Sequence, residues 1–398
     1  MLWHSPPLPL IVKFNFGPIA SSSHRENILL ALQHNDRVSS IIAGKWCQRD
    51  GQMFNALNNT FPRLESLFIH SDAHTTQELP NYFVTPHLLS LRLHNIAISA
   101  VLILLTNATN LISLRLENIR PRGYFSPGYL VELLSSMPRL ENLSIVFHPL
   151  GFSPNVEWES QHINRVVLPN LCTFLFTGVC IYLESLLALV SIPLLQYFYV
   201  TFRWQRTLTL PHLSEFLGLF QNLDFRTAEI SLHLTFIAIS YYPIQPSITL
   251  PNFRFTVCEV FDPSDQMASI VQICDAIAPV LPIVEGLVVK FDKVKEDFAM
   301  GLAQWHGFLR SFGGVRMLQT DIALAPELSE VLDVNNGAEL KALLPKLSKI
   351  VVVSKNDLVH QPFVSLIHAR RRTGHRIRLQ VIKQCPPSLS HYHICPSF

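Results

Sequence analysis

Pro62-Arg63-Leu64-Glu65-Ser66-Leu67-Phe68-Ile69 and Pro86-His87-Leu88-Leu89-Ser90-Leu91-Arg92-Leu93 are two copies of one pattern, Pro-x-Leu-x-x-Leu-x-Leu. It recurs at Thr109-Asn110-Leu111-Ile112-Ser113-Leu114-Arg115-Leu116 and at Pro138-Arg139-Leu140-Glu141-Asn142-Leu143-Ser144-Ile145. Two further copies are Pro169-Asn170-Leu171-Cys172-Thr173-Phe174-Leu175-Phe176 and Pro193-Leu194-Leu195-Gln196-Tyr197-Phe198-Tyr199-Val200. Weaker copies flank this block: Asp36–Ile41 ahead of it, and Pro282–Leu287, Gly313–Leu318 and Pro345–Ile350 behind it. The first apolar position falls at 38, 64, 88, 111, 140, 171 and 195, then at 284, 315 and 347. These steps match the ~20–29-residue leucine-rich repeat and its longer variants.

The spacing has a physical reason. In a strand, side chains alternate between faces, so the two residues of Leu-x-Leu point the same way, into a core. The leading Leu turns the chain into the strand, and the rest of each repeat is long enough for a helix covering the other side. Ser126–Ser136, Tyr182–Ser191 and Glu296–Phe312 have helical length and period. Proline ahead of a strand suits a helix stop, because it disfavours helix in its predecessor. The expected fold is therefore α/β: a leucine-rich-repeat solenoid, a ribonuclease-inhibitor-like horseshoe with a parallel concave sheet and convex helices.

A single array is expected over 1–380, more irregular at 205–280, with a C-terminal tail at 381–398. Within the irregular stretch, Pro211-His212-Leu213-Ser214-Glu215-Phe216 follows Leu195 too closely for a full repeat and reads as a helix start. Ile230–Phe236 and Phe253–Val257 both alternate and read as two irregular strands joined through the turn-rich 242–251. Ser264–Val280 reads as a helix leading into the next repeat.

Composition narrows the function. Charged residues are 15% of the chain, against roughly 25% in an average globular protein, and hydrophobic residues are 48%, so a large core is available. A formal net charge of +2 lacks the basic excess of a dedicated nucleic-acid binder. The one dense basic run, Arg370-Arg371-Arg372 followed by His375, Arg376 and Arg378, reads as the basic end of a helix and a solvated loop. Cysteines at 47, 172, 180, 258, 274, 385 and 395 are odd in number and form no Cys-x-x-Cys pair. That favours free thiols in a reducing compartment. No signal peptide is evident. The most membrane-like window, 174–200, is interrupted by Glu184 and Pro193. The expected location is cytoplasmic or nuclear, with no membrane partner.

Signatures of chemistry are missing. Gly44-Lys45 lacks the rest of a phosphate-binding loop, and no Gly-x-Gly-x-x-Gly, His-Glu-x-x-His or Gly-x-Ser-x-Gly occurs. Cys385, His391, His393 and Cys395 are potential zinc ligands, but their spacing fits no closed structural site, and they read as part of a polar tail. Sequons at Asn58, Asn107 and Asn142 read as chance matches without a secretory signal. The reading is a non-enzyme with no cofactor and no metal.

A repeat array usually binds through its concave face. Strand alternation assigns to that face Ser66, Phe68 and His70; Ser90, Arg92 and His94; and Ser113, Arg115 and Glu117. It adds Asn142, Ser144 and Val146; Thr173, Leu175 and Thr177; and Tyr197, Tyr199 and Thr201. Phe68, Arg92, Arg115, Tyr197 and Tyr199 are the candidate partner-binding residues, since arginine and aromatics are enriched at binding hot spots. Arg92 and Arg115 sit at equivalent positions, which suits a carboxylate or phosphorylated peptide; the bland reading is a solvated pair partly offset by Glu117.

The order of elements resembles the leucine-rich-repeat region of basidiomycete F-box proteins. The segments that carry the resemblance are Pro6–Val12, Glu26–Val38, Pro193-Leu194-Leu195 and Pro211–Phe216. In that family a short helical F-box precedes the repeats and docks the adaptor of cullin–RING ubiquitin ligases, while the repeats hold a protein substrate. The resemblance therefore implies a substrate receptor in ubiquitin-dependent degradation. The chain begins at the segment that follows the F-box, with no equivalent of those helices, which implies either a fragment of a longer protein or a receptor without an adaptor. An adaptor partner is expected only with an F-box upstream. The alternative is a ubiquitin-independent leucine-rich-repeat scaffold.

Overall fold

The computed structural model describes residues 8–15, 22–46, 51–71, 83–96, 101–120, 124–148, 165–203, 205, 207–219, 225–233, 235–243, 251–259, 263–278, 281–291, 301–333, 343–354, 363–372 and 374–383. The chain forms two compact units, Met1–Arg203 with Thr209–Phe216, and Trp204–Leu208 with Leu217–Phe398. Both are α/β, with strands alternating with helices, consistent with a leucine-rich-repeat-like solenoid.

The first unit runs β1 (Leu10–Asn15), α1 (Ser22–Gln33), β2 (Val38–Trp46), α2 (Gly51–Leu57), β3 (Ser66–Ser71), β4 (Ser90–His94) and α3 (Leu102–Asn107). It continues with β5 (Ser113–Ile119), α4 (Pro127–Ser135), β6 (Asn142–Phe147), β7 (Val166–Val167), β8 (Thr173–Gly178), α5 (Cys180–Leu189), β9 (Val190–Ser191), β10 (Tyr197–Arg203) and the start of α6 (Pro211–Gly218). Strands β1, β2, β3, β4, β5, β6, β8 and β10 lie side by side in that order, all parallel. Strands β7 and β9 form a separate small ladder.

The register aligns the repeats residue for residue. One core row is Val12, Ile41, Leu67, Leu91, Leu114, Leu143, Phe174 and Phe198; the next is Phe14, Ala43, Ile69, Leu93, Leu116, Ile145, Phe176 and Val200. All sixteen are buried, as are the leading residues Val38, Leu64, Leu88, Leu111, Leu140, Leu171 and Leu195. Burial of a Leu-sized side chain stabilises by about 1.5–3 kcal/mol, so these rows dominate the energetics. Helices cover this face: α5 packs on β8 and against α4, and Tyr182 stacks on Phe176 with centroids 6.0 Å apart.

A hydrogen-bond motif fixes the register. The carbonyl before each strand accepts two successive amides of the next repeat. Glu65 O takes Leu89 and Ser90, Leu89 O takes Ile112 and Ser113, and Ile112 O takes Glu141 and Asn142. Glu141 O then takes Cys172 and Thr173, and Cys172 O takes Gln196 and Tyr197. The proline carbonyls are held as well, since Asn110 Nδ2 donates to Pro86 O at 3.1 Å and Asn170 Nδ2 to Pro138 O at 2.8 Å. Asn95, just past β4, and Asn118, within β5 at its register shift between Leu116 and Ile119, have φ of 60° and 56°, a left-handed conformation that asparagine tolerates better than most residues. Helix α6 starts as its Pro211-His212-Leu213 reading expects. The carboxylate of Glu184, in α5, accepts the free amides of His212 (2.6 Å) and Leu213 (3.0 Å), closing the helix N-terminus from outside.

The second unit contains β11 (Thr227–Leu232), β12 (Phe236–Tyr242), β13 (Phe253–Cys258), α7 (Pro263–Ala276), a single 3-10 turn, β14 (Gly286–Phe291) and α8 (Leu302–Arg310). Then come β15 (Met317–Asp321), α9 (Ala325–Leu332), β16 (Lys349–Ser354), α10 (Val364–Arg372) and β17 (Arg378–Lys383). Strands β11, β14, β15, β16 and β17 are parallel neighbours. They carry the same double-amide motif, from Arg226 O to Glu285 and Gly286, from Glu285 O to Arg316 and Met317, and from Arg316 O to Ser348 and Lys349. On the other side of β11 lie β12 and β13, paired antiparallel, with α7 packed on both.

Two expectations change here and a third gains detail. Ile230–Phe236 is not one strand: β11 ends at Leu232 and β12 starts at Phe236, so a hairpin divides the stretch, and three strands stand where two were expected. Val381–Lys383, expected at the start of the tail, belong to β17; the remainder of 381–398, with Cys385, His391, His393 and Cys395, lies outside the described residues. The basic run ends α10 as expected, with Arg370, Arg371 and Arg372 in its last turn, but Arg370 turns inward. It is buried and its Nη2 donates to Leu343 O at 2.6 Å. Burial lowers its pKa from the usual arginine value.

Candidate functional site

On the face of the first unit away from the core rows, the register builds a second set of rows. The central one is Lys13, Ile42, Phe68, Arg92, Arg115, Ser144, Leu175 and Tyr199. Phe68, Arg92 and Arg115 therefore stand on three adjacent strands, ~4.8 Å apart. Tyr199 is in the same row but lies beyond Ser144 and Leu175. Tyr197 is two residues before it on β10, with ring centroids 6.5 Å apart. The structure thus joins the first three candidates and puts the two tyrosines in a group of their own.

The two arginines, equivalent in sequence, have unequal surroundings. Arg92 donates from Nε (2.9 Å) and Nη2 (2.7 Å) to one oxygen of Glu117, and its guanidinium lies 5.0 Å from the centroid of the Phe68 ring. Arg115 is exposed and has no ion-pair partner among the described residues. The offset foreseen for Glu117 thus falls on Arg92 alone, leaving Arg115 as the cation available to an anionic group. The cause is geometric, since Glu117 is two residues beyond Arg115 on the same strand, while its row neighbour is His94 on β4, beside Arg92.

Next to this row runs His70, His94 and Glu117. The two imidazoles meet edge to face at 4.3 Å. Burial, and next the facing His70, hold His94 below the usual histidine pKa; Glu117 opposes this, and Arg92 and Arg120 add to it. A neutral His94 lets two rings of one type pack without repulsion. On the other flank, Ser66, Ser90, Ser113, Asn142 and Thr173 form a half-buried polar row. Single-sequence reasoning listed these residues on the face but could not foresee the Arg92–Glu117 clamp or the imidazole pair, which depend on side-chain rotamers across strands.

The arrangement offers an aromatic surface, a fixed cation, an uncommitted cation and a hydroxyl-rich margin on a rigid sheet. It can hold a protein segment by stacking and charge-assisted hydrogen bonds. Among the described residues no cluster of three or more His, Cys, Asp or Glu could hold a metal ion. None of their helices is long and apolar enough to cross a membrane. Among the described residues, Cys172, Cys180, Cys258 and Cys274 form no disulfide. No protein-family model matches the chain, and a search of curated proteins found none similar to it.

Proposed function

We propose that the chain is a protein-binding leucine-rich-repeat module of the ribonuclease-inhibitor-like horseshoe type, and that it serves as the substrate-recognition part of an F-box-type receptor in a cullin–RING ubiquitin ligase. The observation that carries the binding reading is the Phe68–Arg92–Arg115 row, its arginines exposed and Phe68 half-buried, with buried apolar residues immediately before and after each of the three on its strand. The ligase context rests on the resemblance described above and on the repeat order that accompanies it. The module performs no covalent step; Phe68, Arg92, Arg115, Tyr197 and Tyr199 contact an acidic segment of the substrate.

Two measurements test this. Native extract captured with the whole chain and probed for the cullin–RING adaptor addresses the ligase context; adaptor recovery supports it, and its absence alongside other captured proteins favours the ubiquitin-independent scaffold. Titration of a captured partner against the Arg92→Ala/Arg115→Ala variant addresses the face. Loss of each charge-assisted contact costs about 1.5–3 kcal/mol, so at least a tenfold weakening is expected, and unchanged affinity removes these residues from the interface.

A further inference from the structure

The core rows of the second unit run out into solvent at β17. Ala228, Leu287, Leu318 and Ile350 are fully buried, and their neighbour Leu379 is half exposed. Ile230, Val289, Thr320 and Val352 are likewise buried, and their neighbour Val381 is 42% exposed. Strand β17 is the last of its sheet, and no described strand pairs with its outer edge. Arg378 N–H donates inward to Ser348 O at 2.9 Å. Alternation therefore aims the main-chain groups of Leu379 and Val381 outward, where a strand could take them.

Charge selects the occupant. After Asp357 the sequence contains six Lys and Arg and no Asp or Glu. Arg370 is held inside the fold, while Arg371 and Arg372 at the end of α10, Arg376 just ahead of β17, and Arg378 and Lys383 within it are exposed. Two copies of this edge would set like charges against each other, which disfavours self-pairing. We propose that β17 is a docking edge for an extended segment of a partner protein in which apolar and acidic residues alternate. The segment adds one more strand. Its apolar side chains prolong the Leu379 and Val381 rows, and its carboxylates meet Arg376 and Arg378. This site uses none of the residues of the Phe68–Arg92–Arg115 face and does not depend on the ligase reading.

The test is fluorescence anisotropy of a labelled Glu-Val-Glu-Val-Glu-Val-Glu peptide titrated with the full chain, beside a Lys-Val-Lys-Val-Lys-Val-Lys control. Saturable binding of the acidic peptide alone is expected. Val381→Pro removes an outward N–H yet is compatible with an edge strand, and it should weaken binding at least about tenfold. Arg376→Glu/Arg378→Glu should lose the acidic peptide and gain the basic one, a gain that misfolding cannot produce. The proposal is overturned by no saturable binding up to about 100 μM, or by equal binding to Val381→Pro, which would mean charge attraction without strand addition. It is also overturned if sedimentation shows the wild-type chain dimerising through this edge and Val381→Pro abolishes that, since the occupant is then a second copy.

Discussion

The first unit repeats one design, and the second repeats it with an insertion. In the first, each carbonyl of the double-amide motif is followed by the next after 23 to 31 residues, from Glu65 to Leu89, Ile112, Glu141 and Cys172. In the second, the step from Arg226 to Glu285 is 59 residues, and it contains the β12–β13 hairpin and α7. The parallel register is the same at both ends of the insertion. The comparison teaches that register comes from the short turn-and-strand segment alone, whereas the connection only has to cover the core. A strand buried in a repeat row is interchangeable; β12, with six of its seven residues buried, is not, because it needs β11 and β13 on its two edges and α7 above.

The sharpest way to break the shared motif is at Gly314, in the turn ahead of β15. A methyl group there would collide with the carbonyl oxygen of Pro282 and lie 3.0 Å from that of Val284. Since the obstruction is backbone, Gly314→Ala is expected to lower stability by about 3 kcal/mol. Its neighbour Gly313 has open space, so Gly313→Ala should stay within about 0.5 kcal/mol of the wild type. Urea unfolding of both reads the difference, and equal midpoints would mean the turn relaxes freely.

Core truncation probes whether the two designs are equally tight. Leu114→Ala in the first unit and Ile239→Ala in the second each empty a fully buried position, and each should cost about 2–5 kcal/mol. Hydrogen exchange distinguishes them: opening from Leu114 is expected to spread along parallel neighbours β4 and β6, and from Ile239 to β11 and β13.

The Glu184 cap has no counterpart of its kind among the described helices of the second unit. Glu184→Ala leaves the amides of His212 and Leu213 unmet and should cost about 1–2 kcal/mol. Burial raises the Glu184 pKa above the usual glutamate range, while the two amides and His212 pull it back and Glu215 adds to the rise. The stability it contributes is thus complete below its unfolded pKa and declines as pH rises through the raised folded value. Melting temperatures of wild type and Glu184→Gln should diverge across that window, the wild type losing more as pH rises; parallel curves would remove the burial argument. The smallest effect belongs to Asn170→Ala, which loses one bond to Pro138 O and should cost about 0.5–1.5 kcal/mol in thermal unfolding.

Much of this was legible in the chain. Every leading apolar position inferred from the Pro-x-Leu-x-x-Leu-x-Leu pattern is buried, and Ser66, Ser90 and Ser113 pair as their alignment requires. One repeat escaped notice. Phe225 is its buried leading residue and Ala228 and Ile230 its core pair, but Ala replaces the expected Leu and no proline precedes it, so the pattern dissolves. The hairpin between β11 and β12 was hidden because alternation continues through it: Ile230, Leu232 and Phe236 keep the same parity on two strands. At the candidate site, parity alone placed Phe68, Arg92 and Arg115 in one row. The division of labour between the arginines was illegible, since it depends on which neighbour Glu117 reaches.

The paired amides on a single carbonyl have a consequence for how such a chain can change. With register held locally, the length of each connection is a free variable, and residues can be added or removed there without shifting any strand against its neighbours. A chain of this kind can acquire further strands, as it has with β12 and β13 between β11 and β14, while β11 and β14 still pair in parallel. Constancy belongs to the turn-and-strand segments and variation to the connections, so the exposed rows can be tuned one side chain at a time.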